Sequence, residues 1–199
     1  MRIFFGATLP EATKREIVEL QEMLRPLVPN ARFEGTDKLH ITLHFIGDFR
    51  QEQVDRLFAG AVQELRIYPA KSPSTEIVGM NYFPNEKVRR GIWLDCADDG
   101  SLASFAKALM IATSQFGIVP EARAFKPHIT IARLREREGG GNAGSGFRGS
   151  ARAVADLQKF KGQGKLSVER FFPKSVALFE STLKPSGSEY RVLYEYSLE

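Results

Sequence analysis

The sequence predicts an α+β protein whose strands are mainly antiparallel. Segments typical of strands alternate with segments typical of helices along the chain, and several neighbouring strand segments have connections short enough for antiparallel pairing. One strand pattern, His-aliphatic-Thr-aliphatic, occurs twice, at 40–43 and again at 128–131. The two copies are too far apart for a solenoid repeat, so they are expected to mark equivalent strands in two related lobes.

The first half of the chain predicts the order strand, helix, strand, helix. The opening RIFFGATL is rich in aromatic and aliphatic residues, as strands are. The segment from Pro10 to Val28 has apolar residues at helical spacing, and a proline suits a first helical turn, which needs no amide donor. HITLHFIG predicts the second strand, and residues 52–65 predict a second helix with one apolar face.

The second half predicts a third helix and the remaining strands. TEIVGMNYFPN predicts a strand with an irregularity at its glycine, RRGIWLDCA predicts the next strand, and residues 100–118 predict a helix. HITIARL then predicts a strand in a position that corresponds to that of HITLHF in the first half. A glycine-rich flexible loop is expected within 136–165, with a short helix at 151–160, before three final strands. We expect residues 1–199 to form a single two-lobed domain.

Composition excludes several classes of protein. The chain has 199 residues, of which 43% are hydrophobic and 26% are charged, as in ordinary globular proteins. Its apolar runs are too short to span a membrane, and its opening residues lack the features of a signal peptide. The single cysteine, Cys96, rules out an internal disulfide and fits a reducing cytoplasm. The formal net charge of +4 tolerates a polyanionic partner without identifying one.

The repeated pattern places an imidazole and a hydroxyl side by side. Strand side chains alternate between two faces, so His40 and Thr42 share a face, as do His128 and Thr130. An ordinary imidazole titrates near pH 6.5, so one copy can be neutral while the other is protonated, which supplies a general base and a general acid. Threonine hydroxyls donate hydrogen bonds without adding charge, as phosphate oxygens require. The pattern therefore favours phosphodiester hydrolysis without a metal.

Two other interpretations compete with this one. A single copy of the pattern is more often an ordinary half-buried strand, but two copies use two of the chain's three histidines. Zinc binding is the second alternative, because His40 and His44 are four residues apart. That spacing lets two histidines of a helix bind one metal ion, whereas a strand is predicted here. No third ligand is evident in the sequence.

Several stretches together resemble one known family. They are RIFFGATLP, KLHITLHFIGDF, FPNEKVRRGIWLDC, FKPHITIAR and SVALFESTLKPSGSEYRVLYEYSL. With them the chain resembles the RNA 2′,3′-cyclic phosphodiesterases, also called 2′-5′ RNA ligases, of the two-histidine phosphoesterase superfamily. The resemblance covers nearly the whole chain and departs only between Glu136 and about Lys165.

The resemblance implies a bilobal α+β fold with a pseudo-twofold axis and both motifs in a central cleft. It implies hydrolysis of a terminal 2′,3′-cyclic phosphate to a 2′-phosphomonoester, with no metal or other cofactor, and a reverse 2′-5′ ligation. His40 would be the proton donor, His128 the proton acceptor, and Thr42 and Thr130 the phosphate-binding residues. From the residues alone, the two histidine roles are interchangeable.

Three nearby residues are secondary candidates. His44 is predicted on the face of His40 and is a candidate substrate contact, although a structural histidine is the commoner outcome. Lys126, beside the second motif, is a candidate RNA contact. Arg133 is left outside the catalytic set, because strict alternation places it on the opposite face unless a bulge intervenes.

The expected partners are RNA ends that carry a 2′,3′-cyclic phosphate, with tRNA fragments as one source. We expect a cytoplasmic monomer with no membrane partner. One alternative is an RNA-end binding module with negligible turnover, and another is a phosphodiesterase acting on small cyclic nucleotides. Basic groups around the cleft would favour RNA, whereas a closed and narrow pocket would favour the small substrate.

Overall fold

A computed structural model describes residues 1–67, 73–84, 89–119, 123–134, 168–185 and 187–198. The helices within these ranges are α1 (Glu11–Leu24), α2 (Val54–Ile67) and α3 (Ser101–Ser114). The strands are β1 (Arg2–Thr8), β2 (Ala31–Phe33), β3 (His40–Asp48), β4 (Thr75–Pro84), β5 (Arg89–Cys96), β6 (His128–Leu134), β7 (Val168–Phe171), β8 (Ser175–Lys184) and β9 (Gly187–Ser197). The predictions made for 136–165 and for the helix at 151–160 lie outside the described residues. No described helix is long and apolar enough to cross a membrane.

The described strands form one open antiparallel sheet with the order β7-β4-β5-β6-β3-β1-β8-β9, and β2 pairs with β6. The two motif strands meet at its centre, where Ile41 pairs with Ile129. From there β3, β1, β8 and β9 extend one way and form what we call the first lobe. β6, β5, β4 and β7, together with β2, extend the other way and form the second lobe. The predicted two-lobed α+β fold is confirmed.

Helices lie behind both motif strands. Gln21 of α1 is buried, and its Nε2 donates to the carbonyl oxygens of Glu34 at 2.9 Å and Ile131 at 3.0 Å. α1 therefore packs behind β6. Thr113 of α3 forms a hydrogen bond of 2.9 Å with His44, so α3 packs behind β3. Each motif strand thus has one face against a helix and the other turned toward the cleft.

The aliphatic residues of the two motifs anchor the strands in the core. Four of them are at most 3% exposed: Ile41, Leu43, Ile129 and Ile131. Burial of one such side chain stabilises the fold by about 1.5–3 kcal/mol. The alternation predicted from the sequence therefore holds across both tetrapeptides, and it fixes which face the histidines and threonines occupy.

Two local features differ from the sequence prediction. α1 ends at Leu24 instead of continuing to Val28, because Pro26 lacks an amide hydrogen and its ring disfavours a helical conformation before it. The three-residue strand β2 was not predicted, since so short a segment carries no clear periodicity. β2 matters for the site because it places Arg32 directly opposite Arg133 of β6.

Candidate active site

The two histidines and two threonines of the motifs lie together at the centre of the sheet. His40 and Thr42 on β3, and His128 and Thr130 on β6, are all partly buried between fully buried aliphatic neighbours. Two adjoining cavities open onto them. The larger, of about 530 Å³, contains His40 and Thr42, and the smaller, of about 170 Å³, contains His128 and Thr130. Thr42 and Arg133 line both cavities, so the two form one cleft.

Both imidazole rings are fixed in the same way. His40 Nδ1 lies 2.7 Å from the carbonyl oxygen of Lys38, and His128 Nδ1 lies 2.8 Å from that of Lys126. A carbonyl oxygen can only accept, so Nδ1 is the donor in each ring. Nε2 of each ring is therefore the nitrogen left to take up or release a proton. His40 Nε2 lies 3.1 Å from the Thr42 hydroxyl, which donates to it when the ring is neutral.

The surroundings of the two rings differ. The rings of Phe4, Phe179 and Tyr190 have centroids 4.9, 5.4 and 5.4 Å from the centroid of His40. This burial is the largest cause of the low pKa of His40, which falls from its ordinary value of 6.5 to about 4. The proximity of His128 and of the Arg133 guanidinium adds to the lowering, while the hydrogen bond to the carbonyl of Lys38 opposes it. His40 is therefore neutral at pH 7 in the free protein.

Within the described ranges, His128 packs against one aromatic residue. The indole of Trp93, on the neighbouring strand β5, has its centroid 4.4 Å from that of the imidazole. Lys126, two residues before His128, is exposed, with its ammonium 3.8 Å from an oxygen of Asp95 and 5.9 Å from the centroid of Trp93. Lys126 therefore contributes its carbonyl oxygen to the orientation of His128, while its ammonium lies outside both cavities that contain the motif residues.

The expectation that His44 shares the face of His40 is wrong. The pairing of β3 with β1 shifts by one residue between Thr42 and His44, so Leu43 forms a bulge. A one-residue shift moves every following side chain to the other face. His44 is consequently buried, 3% exposed, and bonded to Thr113 of α3. It is a structural histidine.

Because of an equivalent bulge in β6, Arg133 lies on the face opposite to the one predicted from strict alternation. The pairing of β6 with β5 shifts between Thr130 and Ala132, with Ile131 as the extra residue, and the carbonyl of Ile131 accepts from Gln21. Arg133 thereby turns onto the face of His128 and Thr130, where it lines both cavities. Strict alternation had excluded it, and the only signal in the sequence was the arginine in HITIAR itself.

The first lobe carries Phe45 at the position that corresponds to Arg133, five residues after the histidine. Its ring is 46% exposed and lines the larger cavity. The guanidinium of Arg2 lies over it, 4.9 Å from the ring centroid. Distant segments supply further residues to the larger cavity, among them Arg32 and Tyr190. Sequence reasoning missed these residues because nothing near the motifs marks them.

The assembled cleft has the parts of an acid–base site for an anion. Two imidazoles with available Nε2 atoms, two hydroxyls and one guanidinium surround a small volume. Among the described ranges there is no cluster of three or more His, Cys, Asp and Glu side chains that could hold a metal ion. The groups of the cleft can move protons and donate hydrogen bonds to oxyanions.

Comparisons with known proteins agree with this geometry. The family model described as LigT like Phosphoesterase matches residues 8–93. A Thermus thermophilus protein named RNA 2′,3′-cyclic phosphodiesterase is 30% identical over 212 aligned positions, covering 100% of this chain and 90% of that protein. A protein of the same name from Methanocaldococcus jannaschii is 27% identical, covering 98% of this chain and all of the other.

Solved structures share the fold. The crystal structure of TT0787 from Thermus thermophilus superposes with a TM-score of 0.72 at 26% identity, covering 100% of this chain and 98% of the other. E. coli LigT complexed with 3′-AMP superposes with a TM-score of 0.66 at 20% identity, covering 98% of this chain and 97% of the other. The resemblance seen in the sequence is confirmed: the chain belongs to the LigT-like phosphoesterases, the enzyme family of the proteins named RNA 2′,3′-cyclic phosphodiesterase.

Proposed function

We propose that this enzyme hydrolyses the terminal 2′,3′-cyclic phosphate of RNA to a 2′-phosphomonoester by acid–base catalysis with His40 and His128. The observation that carries the proposal is the pair of imidazoles fixed through Nδ1, with both Nε2 atoms available beside one cleft. The relatives named RNA 2′,3′-cyclic phosphodiesterase support the substrate. RNA ends, with tRNA fragments as one source, are the partners this proposal implies.

In the hydrolytic direction His128 takes a proton from the attacking water and His40 gives a proton to the departing 3′ oxygen. The bond from phosphorus to the 3′ oxygen breaks as the bond from phosphorus to water forms, so the phosphate stays on the 2′ oxygen. Positioned proton transfer of this kind contributes about 10²–10⁴-fold to a rate. The resemblance to the family assigns these roles. The burial of His40 sets a condition on its role as proton donor.

That condition concerns the proton on His40. A ring that is neutral at pH 7 cannot act as the donor until it gains a proton. A phosphate bound beside Nε2 brings negative charge, which favours the imidazolium and raises its pKa. Substrate binding thus favours uptake of a proton from solvent by His40. If the neutral ring acts as the base instead, the two histidines exchange roles.

The hydroxyls of Thr42 and Thr130, and the guanidinium of Arg133, hold the phosphoryl oxygens. Threonine donates from one hydroxyl, and arginine donates through a planar fork that matches a phosphate. Arg133 lines both cavities, so it can contact a phosphate placed between the two histidines. Donors fixed in position before the reaction are a large source of transition-state stabilisation.

The same groups permit ligation without a metal. A 5′ hydroxyl that takes the place of water would give its proton to His128 while His40 protonates the departing 3′ oxygen, which joins the two ends through a 2′-5′ linkage. By microscopic reversibility the two histidines exchange roles when that linkage is cleaved to the cyclic phosphate. The wide cavity beside His40, lined by several cations, favours RNA over a small cyclic nucleotide. Both motifs are intact, which disfavours a binding module without turnover.

The experiment uses a short RNA that ends in a 2′,3′-cyclic phosphate, incubated with the protein in excess EDTA, with the products resolved into 2′- and 3′-phosphate. The proposal expects conversion to the 2′-phosphate at an undiminished rate. Formation of the 3′-phosphate would contradict the proposed cleavage of the bond to the 3′ oxygen. Bound RNA without conversion would indicate a binding module, and loss of activity in EDTA would contradict a metal-independent reaction.

A further inference from the structure

The larger cavity extends well beyond the motif residues and is strongly basic. Besides His40 and Thr42 it is lined by four cations from four strands, namely Arg2, Arg32, Arg133 and Lys184. None of the described residues that line it is acidic. Its volume of about 530 Å³ is far more than a single phosphate group requires. The cavity therefore has room and charge for more of the substrate than the cyclic phosphate.

Three of the four cations already interact with another side chain. Arg133 Nε lies 3.3 Å from Glu34, the Lys184 ammonium lies 2.5 Å from Glu189, and Arg2 lies over the ring of Phe45. Within the described part of the chain, Arg32 has no carboxylate within ion-pair distance. It is the cation of this cavity whose charge is least compensated.

Arg32 is also held against a second positive charge. It stands directly opposite Arg133 across the antiparallel pair of β2 and β6. Directly opposite positions have Cβ atoms about 4.5–5.5 Å apart, and like charges there destabilise the pair. Such an arrangement is stabilised by an anion that bridges or neighbours the two guanidinium groups.

The guanidinium of Arg32 lies against Gly187, the first residue of β9. A Cβ atom added to Gly187 would overlap Nη1 of Arg32, so the guanidinium packs against the backbone of this glycine. Gly187 has a φ of +114°, which side chains other than glycine rarely adopt. The absence of a side chain at this turn leaves the space that Arg32 fills, beside Ser188 and Tyr190 of β9.

We propose that Arg32 binds the phosphodiester on the 5′ side of the terminal nucleoside, and that the enzyme therefore prefers an oligonucleotide end to a cyclic mononucleotide. The inference rests on the proposed function, since the cyclic phosphate occupies the histidines and threonines. A cyclic 3′ end continues only in the 5′ direction, so the next phosphate along the chain is this one. Arg32 is adjacent to Arg133, which holds the scissile group.

The test compares two substrates, adenosine 2′,3′-cyclic phosphate and the dinucleotide ApA with the same cyclic end. The variants are Arg32→Gln, which removes the charge, Arg32→Lys, which keeps it, and Arg56→Gln, which removes an exposed arginine of α2 away from the cleft. A charge-assisted hydrogen bond corresponds to about 10- to 100-fold in kcat/KM. Wild type should favour the dinucleotide by about that factor.

Arg32→Gln should abolish this preference while leaving kcat/KM for the mononucleotide unchanged. Arg32→Lys should retain part of it, because lysine offers a charge without the fork. For the dinucleotide, the slope of log kcat/KM against log salt concentration should become shallower by about 0.7, the value for one phosphate contact on a single strand. Arg56→Gln should change none of these quantities. The melting temperature of Arg32→Gln should be equal to or above that of wild type, since a like-charge pair is removed.

Two results would overturn the subsite: an equal loss on both substrates, which indicates contact with the scissile phosphate or a role in shaping the cleft, and no loss on either. If wild type cleaves neither substrate, the proposed function fails separately. The subsite is then decided by calorimetric binding of ApA 3′-phosphate against adenosine 3′-phosphate. A preference for the dinucleotide that Arg32→Gln removes would support it, and equal affinities would contradict it.

Discussion

The two lobes present the same motif in unequal surroundings. In both, a histidine donates through Nδ1 to the carbonyl two residues before it, and a threonine follows on the same face. In the first lobe three aromatic rings enclose the imidazole, whereas in the second, over the described residues, the imidazole packs against the ring of Trp93. The repeated residues fix where the rings point. The neighbours of His40, which are not repeated around His128, lower the pKa of His40.

The residues that follow the two bulges are a second difference between the lobes. Each motif strand shifts its pairing after the threonine, and each then turns the residue five positions after its histidine toward the cleft. The first lobe places Phe45 there and the second places Arg133. One lobe therefore supplies an aromatic surface and the other a charge. The two motif strands share a bulge after the threonine, but the residues that they turn toward the cleft differ in chemistry.

The largest expected effect comes from removing either imidazole. His40→Ala and His128→Ala should each lower kcat on an RNA with a 2′,3′-cyclic end by on the order of 10²-fold or more, because each removes one positioned proton transfer. Steady-state kinetics measures the loss, and the affinity for the RNA is measured alongside. Unchanged turnover in either variant would contradict the assigned roles.

The second effect tests the two different residues that follow the bulges, Arg133 and Phe45. Arg133→Gln should lower kcat/KM by about 10- to 100-fold, since a charge-assisted contact with the phosphate is lost. Phe45→Leu, the matched change in the first lobe, should cost less. Kinetics on the same RNA compares the two. Equal losses would mean that the arginine has no particular role at the phosphate.

The third effect is a pH dependence of stability. The pKa of His40 is lower in the folded protein, about 4, than its ordinary value of 6.5, so the unfolded state binds more protons between these values. The free energy of unfolding should therefore fall as the pH is lowered from about 6.5 to about 4, by at most about 3 kcal/mol from this group.

Urea unfolding of wild type and His40→Gln across this range measures the difference. The free energy of the variant should fall less steeply. Parallel curves would show that His40 is not buried as described. NMR titration gives an independent check, because the ring of His40 should titrate well below the ordinary imidazole pKa of 6.5.

The smallest effect is expected at His44. Its hydrogen bond to Thr113 contributes to the packing of α3 behind β3. His44→Gln should lower the free energy of unfolding by about 1–3 kcal/mol and leave kcat unchanged, because the ring faces the core. Thermal unfolding and kinetics of one preparation test both statements. A loss of turnover without a loss of stability would indicate that His44 contributes to the cleft.

Much of this fold could be predicted from the sequence because its apolar residues recur at the regular spacings of strands and helices. Alternation identified β3 and β6 and assigned His40, Thr42, His128 and Thr130 to shared faces, and helical spacing identified α1, α2 and α3. These signals are local. The end of α1 differed only because Pro26 outweighs the apolar spacing beyond it.

The remainder depends on pairing between distant segments. The bulges at Leu43 and Ile131 exist because of how β3 and β6 pair with β1 and β5, and they reversed the predicted faces of His44 and Arg133. The enclosure of His40 requires Tyr190, 150 positions further along the sequence. Its lowered pKa follows from that packing. No spacing within KLHITLHFIGDF contains this information.

The proposed mechanism requires that two chemically unequal histidines act as one catalytic unit. The most direct measurement is a double-mutant cycle of His40→Ala, His128→Ala and the double variant, with kcat determined in EDTA on an RNA with a 2′,3′-cyclic end. Residues that act as a unit are strongly non-additive. The double variant should lose little more activity than either single variant. Losses that multiply would show two independent contributions and would contradict the proposed mechanism.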